Sequence, residues 1–170
     1  MWLRLLIIFL LFGLLGILQT SFLVHFNIIG AMLNLIFILY FVVVFFEGPQ
    51  KYIQGIFSAI VAGFFLEALS SFYFGVSFVF LLIIVFILKH ILYLLKKKRD
   101  EYPIIYFAPL FTLSFIIYNL FLTIAIYFFN SPHIMPVLNW IFLIEIVYNL
   151  IFSLFGFYIY KKFILLNNAK

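Results

Sequence analysis

The sequence predicts an all-α protein, a polytopic membrane bundle of about six transmembrane helices in a single domain. Hydrophobic residues make up 69% of the chain and charged residues 9%, and the mean hydropathy is +1.35. A soluble domain carries roughly half apolar and a quarter charged residues, so this chain could not cover its core in water. A spanning helix takes about 20 residues, so six of them use nearly all of the 170 residues.

Apolar runs separated by polar or helix-breaking residues divide the single transmembrane domain 1–170 into six predicted spans. The first run begins after Arg4 like a signal peptide, but it is too long and lacks a small-residue cleavage site. Charged or helix-breaking residues such as Glu47, Pro49 and Asp100 mark later boundaries. The spans are predicted at about 3–24, 28–46, 52–69, 73–95, 103–129 and 136–160.

The basic residues predict the orientation of the spans. If the N-terminus is cytoplasmic, the outer segments near His25, Ser71 and His133 contain no Lys or Arg, as the positive-inside rule requires. Both termini are then expected in the cytoplasm, with the chain in the cell (inner) membrane. The topology determinants are Lys96, Lys97, Lys98, Arg99, Lys161 and Lys162. A specific partner site is the alternative for the cluster 96–99. Lys89, near the cytoplasmic end of span four, is expected to extend its amine to the headgroups.

The sequence offers no evident catalytic or metal-binding set. Cysteine is absent, which excludes disulfides, thiolate nucleophiles and cysteine metal ligands. His25, His90 and His133 lack the spacing of metal ligands. The net charge of +5 is explained by the membrane topology rather than by nucleic-acid binding. We therefore expect no enzyme activity, no cofactor and no metal.

Span three carries a stripe of small residues. Gly55, Ala59 and Gly63 recur every four residues, and Glu67 continues the series. A four-residue step drifts by only about 40° around a helix, so these residues share one face. In lipid, small residues let helix backbones approach until van der Waals contact and polar pairing hold them. We expect this face to pack against another helix or a partner.

The main candidate polar sites are two intramembrane carboxyls, Glu67 and Glu145. An ionised carboxyl in a span costs a few kcal/mol unless it is paired or hydrated. For Glu67, a ligand, proton or partner contact and a hydrogen-bonded packing role both remain open. Glu145 is expected near the midplane of span six and to face the bundle interior with Asn149. Asn119 and Thr123 of span five are its candidate partners. A buried polar network or a transport site accounts for this second group.

Two stretches resemble the MreD family of bacterial rod-shape-determining membrane proteins. The first, Leu18 to Phe22, is similar to the family's Leu-Gln-Ser/Thr-Ser segment. The second has a glycine after span two, another seven residues on, small residues through span three, an acid, and a serine and a glycine opening span four. These features fall on Gly48, Gly55, Gly63, Glu67, Ser70 and Gly75. The family's acid is usually Asp, its proline before span two is missing here, and the chain after about residue 91 matches only in hydropathy and length.

The resemblance implies a non-enzymatic scaffold subunit of the elongasome, which directs cell shape and lateral peptidoglycan synthesis. Such a protein binds MreC and, through it, MreB and the RodA–penicillin-binding-protein synthase. The family fold is similar to the S components of energy-coupling-factor transporters. That similarity leaves a second hypothesis, a membrane subunit that binds a vitamin-like solute. Its pocket would draw on Glu67, Glu145, Asn119, Asn149 and Gln19.

Overall fold

The computed structural model describes residues 2–26, 30–48, 50–68, 75–95, 101–130 and 140–168. Within these ranges the chain forms six α-helices and one short 3₁₀ helix, Leu23–Phe26, and no β-strand. The α-helices are α1 (Trp2–Ser21), α2 (Leu35–Phe46), α3 (Ile53–Ala68), α4 (Val76–Leu94), α5 (Pro103–Asn130) and α6 (Trp140–Asn168). The predicted all-α membrane bundle is confirmed. The predicted span starts at 28, 73 and 136 and the basic cluster Lys96, Lys97, Lys98 and Arg99 lie outside the described residues.

Four of the described helices are long and apolar enough to cross a membrane. They contribute the stretches Trp2–Ser21, Val76–Leu94, Pro103–Phe128 and Trp140–Lys162. By contrast, α2 and α3 have 12 and 16 residues, or about 18 and 24 Å at 1.5 Å per residue. The hydrocarbon core is about 30 Å thick. Helix α2 thus covers only the second part of the predicted span 28–46, whereas α3 covers nearly all of the predicted span 52–69.

The backbone before α2 explains why that helix is short. Gly30 adopts a left-handed conformation with φ of 90°, which helical backbone does not allow. Residues 31–34 that follow are not helical. The Asn34 side chain then accepts a hydrogen bond from the N–H of Phe37 at 2.9 Å. Asn34 is therefore the N-cap of α2 and fixes its start.

Helix α2 is the centre of the bundle. It contacts all five other described helices, and nine of its 12 residues are buried. Phenylalanines four residues apart on α2 meet a matching row on α5. Their ring centroids are 5.1 to 5.9 Å apart and all five ring pairs are edge to face, a favoured aromatic arrangement. The two rows are Phe37, Phe41 and Phe45 on α2 and Phe107, Phe111 and Phe115 on α5. These rings form the core.

The outer helices surround α2 incompletely. Around α2 the order is α1, α3, α4, α5 and α6, and each of these contacts the next one. Among the described residues, however, the backbones of α6 and α1 do not come close to each other. Leu35, Leu39 and Phe46 of α2 are only partly buried. Val42, on the same stripe of that helix, is buried.

Candidate functional site

The Glu67 carboxylate joins α3 to the start of α4. Oε2 accepts a hydrogen bond from the N–H of Gly75 at 2.7 Å, and Oε1 accepts bonds from Ser77 at 2.6 Å and Phe78 at 3.3 Å. These donors belong to the first turn of α4, where backbone N–H groups have no partner within the helix. The positive end of the helix dipole also favours an anion there. This contact corresponds to the packing interpretation of Glu67.

Gly63 lies one turn before Glu67 and touches the same part of α4. A Cβ atom added at Gly63 would lie 2.6 Å from Cα and 2.9 Å from N of Phe78. Both are backbone atoms, so they cannot turn aside. The two helices approach this closely only because residue 63 has no side chain. Gly63 thus sets the distance over which Glu67 reaches its donors.

The rest of the small-residue stripe is also inside the bundle. Gly55 and Ala59 are buried, as are Gly63 and Glu67. On the opposite side of α3, Ile60 and Phe64 are 44% and 51% exposed. Helix α3 contacts α4, α2 and α1. The stripe therefore faces neighbouring helices of this chain, which leaves little of it for an external partner.

Glu47 repeats at the start of α3 what Glu67 does at the start of α4. Its Oε1 accepts from the N–H of Gln54 at 2.8 Å, and its Oε2 accepts from the N–H of Gly55 at 2.9 Å. Each glutamate ends one helix and bonds to a glycine eight residues later at the beginning of the next. At Gly55 the missing side chain lets the carboxylate approach, since a Cβ there would lie 2.9 Å from Oε2 of Glu47.

Lys89 completes this junction, and its predicted extension to the headgroups is wrong. Its side chain is fully buried, and Nζ lies 2.8 Å from Oε2 of Glu47. The amine also donates to the carbonyl oxygens of Val44, Glu47 and Gly48 at 3.2 to 3.3 Å. These carbonyls close α2, where the helix dipole favours a cation. Lys89 therefore pairs with Glu47 inside the bundle and does not extend to the headgroups.

Asn149 binds the non-helical backbone before α2. Its Oδ1 accepts from the N–H of Asn34 at 2.7 Å, while Nδ2 donates to the carbonyls of Met32 and Glu145 at 3.0 and 2.9 Å. The residue is fully buried. Irregular backbone at membrane depth is tolerated where the protein supplies its hydrogen bonds. Gln19 of α1 contributes there as well, because its Oε1 accepts from the N–H of Ile36 at 3.4 Å.

The expected contact of Glu145 with Asn119 and Thr123 is not formed. Asn119 Nδ2 donates to the Phe115 carbonyl, and Thr123 Oγ1 donates to the Asn119 carbonyl, so both are bonded within α5. In the described ranges, the Glu145 carboxyl has neither a hydrogen bond nor an ion pair. Glu145 lies about 9 Å along α6 from the middle of the described apolar stretch Trp140–Lys162, on the Trp140 side. It is partly buried.

Several intramembrane polar side chains thus hold helices together, whereas others, such as Asn119 and Thr123, bond within their own helix. Glu47, Lys89, Glu67 and Asn149 are each bonded to a neighbouring element, and Gly75 takes a left-handed φ of 102° as the N-cap of α4. Over the described part of the chain, no three His, Asp or Glu side chains are placed to hold a metal ion. Lys161 and Lys162, near the end of α6, are exposed.

Sequence reasoning did not predict the contacts that Glu47, Lys89 and Asn34 make. One signal was present: the eight-residue interval from Glu47 to Gly55 equals that from Glu67 to Gly75. No protein-family model, curated protein or solved structure matches the chain.

Proposed function

We propose that this protein is a non-enzymatic membrane scaffold similar to MreD, which binds an MreC-like protein in the elongasome. Through that partner it would associate with MreB and the RodA–penicillin-binding-protein synthase and influence cell shape and peptidoglycan synthesis. Under this proposal it resides in the cell membrane with both termini in the cytoplasm. The family assignment depends on the sequence resemblance at Gly48, Gly55, Gly63, Glu67 and Gly75.

The observation that carries the proposal is the α2–α3–α4 junction. Three of the residues in the resemblance, Gly63, Glu67 and Gly75, meet at one helix start, where they fix α3 against α4. Glu47 and Lys89 fix the other end of α3 to α2 and α4. Groups that are bonded in this way position helices and are not free to transfer protons or bind a solute. A bundle in which these polar residues have structural roles favours a scaffold.

Depletion of the protein in its rod-shaped host tests the proposal. Loss of the scaffold should produce rounded cells and disperse the sites of new peptidoglycan, as visualised by fluorescent D-amino acids. Affinity purification of the tagged protein in mild detergent should recover the MreC-like protein encoded by the same genome. Unchanged shape and unchanged insertion pattern after depletion would overturn the proposal.

The vitamin-transporter hypothesis makes a separate prediction. Of its five candidate pocket residues, Glu67, Asn149, Gln19 and Asn119 are bonded to backbone groups, which leaves Glu145. A ligand that binds only the folded state raises the unfolding temperature. A thermal-shift screen with vitamins and their precursors should therefore show no stabilisation under the scaffold proposal. A concentration-dependent rise with one of them would favour the transporter.

A further inference from the structure

Arg4 lies on the flank of α1 that is turned away from α3. On the opposite flank, Phe9 and Gly13 pack against Phe65 of α3, with a Phe9–Phe65 ring distance of 6.2 Å and 3.7 Å from a Gly13 Cβ to Phe65. Arg4 lies nine residues before Gly13, which is a rotation of about 180° around the helix. Its side chain is exposed. Arg4 is therefore on the side of α1 that is nearer to α6.

Tyr160, near the end of α6, lies close to Arg4. The Tyr160 ring packs on Phe46 at the end of α2, with 4.9 Å between the ring centroids. Its hydroxyl is near enough to the Arg4 guanidinium for an electrostatic interaction, although the backbones of α1 and α6 do not come close to each other. The two side chains thus bring a phenol hydroxyl and a guanidinium together at one end of the bundle.

Lys162 adds a second cation at this end of α6. Phe157 packs on Phe107 of α5 with a ring distance of 4.8 Å, and Lys162, five residues later, is rotated from Phe157 by about 140°. Lys162 is exposed, so it lies on the side of α6 that is turned away from α5. Lys161, which is only about 40° from Phe157, lies on the α5 side.

The acidic group nearest to these residues is already compensated. Glu47 also interacts electrostatically with Tyr160. Its carboxylate, however, is paired with Lys89 at 2.8 Å and accepts two backbone N–H groups of α3. Glu47 therefore does not cancel the positive charge of Arg4 and Lys162, and the group carries a net positive charge.

This group lies at the depth of the lipid headgroups. Trp2, two residues before Arg4, and Tyr158, two residues before Tyr160, are both exposed. Amphipathic aromatic rings of this kind concentrate at the membrane–water interface. The anions at that depth are the phosphates of phospholipids, and basic pockets between transmembrane helices bind them. Position and charge together therefore favour a lipid phosphate as the occupant.

We propose that Arg4, Tyr160 and Lys162 form a binding site for the phosphate of one anionic phospholipid. The planar guanidinium of Arg4 donates paired hydrogen bonds to two phosphate oxygens, the Tyr160 hydroxyl donates one more, and Lys162 supplies a point charge. In the orientation proposed above, this lipid belongs to the cytoplasmic leaflet. The inference concerns the lipid around the bundle and does not depend on an MreC-like partner.

Native mass spectrometry of the full-length protein in a mild neutral detergent tests the site. The protein is titrated with phosphatidylglycerol, and phosphatidylcholine, which has no net charge, is the control lipid. Arg4→Gln and Lys162→Gln each remove one positive charge from the site, and Tyr160→Phe removes only the hydroxyl. Lys161→Gln removes one charge on the α5 side and is the matched control.

We expect the protein to retain one phosphatidylglycerol in preference to phosphatidylcholine. Arg4→Gln and Lys162→Gln should each lower the affinity for it about five-fold, as the loss of one basic residue at a membrane surface does. Tyr160→Phe should lower the affinity by a smaller factor, and Lys161→Gln should leave it nearly unchanged. Arg4→Lys keeps the charge but loses the paired hydrogen bonds, so its affinity should lie between those of the natural protein and Arg4→Gln.

Three results would overturn the proposal. Equal losses of affinity in Lys161→Gln and Lys162→Gln would show that lipid is attracted to the whole basic end rather than bound at one site. Equal retention of both lipids would show that charge does not select the occupant. Displacement of phosphatidylglycerol by inorganic phosphate would show that the site takes a free anion. The comparison of the two lysines remains decisive if Arg4→Gln does not fold, because both side chains are exposed.

Discussion

The amine of Lys89 lies 2.8 Å from the carboxylate of Glu47 in a site where both side chains are buried. The same carboxylate accepts the first N–H groups of α3, and the same amine bonds the last carbonyls of α2. One ion pair therefore joins the end of α2, the start of α3 and the body of α4.

Breaking this pair from one side should be more harmful than removing it whole. Lys89→Met or Glu47→Gln leaves a buried charge without its partner, at a cost of about 3 kcal/mol or more. The double variant removes both charges, so its loss should be smaller than the sum of the two single losses. Unfolding in mixed detergent–dodecyl sulfate micelles measures the four free energies. Additive losses would show that the two side chains do not interact.

Glu67→Leu should weaken the junction of α3 and α4 more than Glu67→Gln. Leucine leaves three N–H groups of α4 without their acceptor, at about 1 to 3 kcal/mol each. Glutamine keeps one acceptor oxygen for Ser77 and Phe78 but turns its amide NH2 group toward the N–H of Gly75. Its loss of stability should therefore be intermediate. The same unfolding assay, with co-purification of the partner, compares the two variants. Equal behaviour would contradict the hydrogen-bonding role of Glu67.

Gly63→Ala should destabilise the bundle, although it adds only one methyl group. That methyl meets the Phe78 backbone at 2.6 Å, and overpacking of this kind costs about 1 to 3 kcal/mol. Gly63→Leu should be at least as harmful. Gly13→Ala is the matched control, because its nearest neighbour is a side-chain atom at 3.7 Å. A Gly63→Ala protein as stable as the control would show that α3 and α4 are not in close contact here.

Asn149→Leu should destabilise the protein more than Asn119→Leu. Asn149 supplies hydrogen bonds to Met32 and Asn34 across the bundle, whereas the Asn119 side chain bonds only one turn back to Phe115. Loss of the first leaves buried backbone groups unpaired, at about 1 to 3 kcal/mol per group. Proteolysis near residues 30–34 in micelles should rise for Asn149→Leu alone. Equal cleavage of both variants would contradict this role.

The sequence was sufficient where helical periodicity or hydropathy decides the outcome. The stripe from Gly55 to Glu67 could be placed on one face because residues four positions apart lie on the same side of a helix. Hydropathy placed α1, α4, α5 and α6, since bilayer thickness requires long apolar runs.

Pairings between distant residues could not be read in the same way. Lys89 and Glu47 are 42 positions apart, and nothing local distinguishes an inward lysine from one that reaches the headgroups. The short α2 was missed because Gly30 alone is a weak helix terminator, although Asn34 before an apolar run is a recognisable N-cap. Glu145 does not contact its predicted partners, because Asn119 and Thr123 bond to backbone carbonyls of their own helix. Their spacing in the sequence is compatible with either arrangement.

The enclosed position of α2 determines how the protein responds to bilayer thickness. A helix that faces lipid must match the hydrocarbon core or tilt, and each ångström of mismatch costs a fraction of a kcal/mol. Helix α2 is about 18 Å long and is bordered by five helices. Its length therefore need not match the thickness of the hydrocarbon core. Changes in acyl-chain length therefore act through the four longer helices, whose tilt can adjust while the central contacts of α2 remain in place.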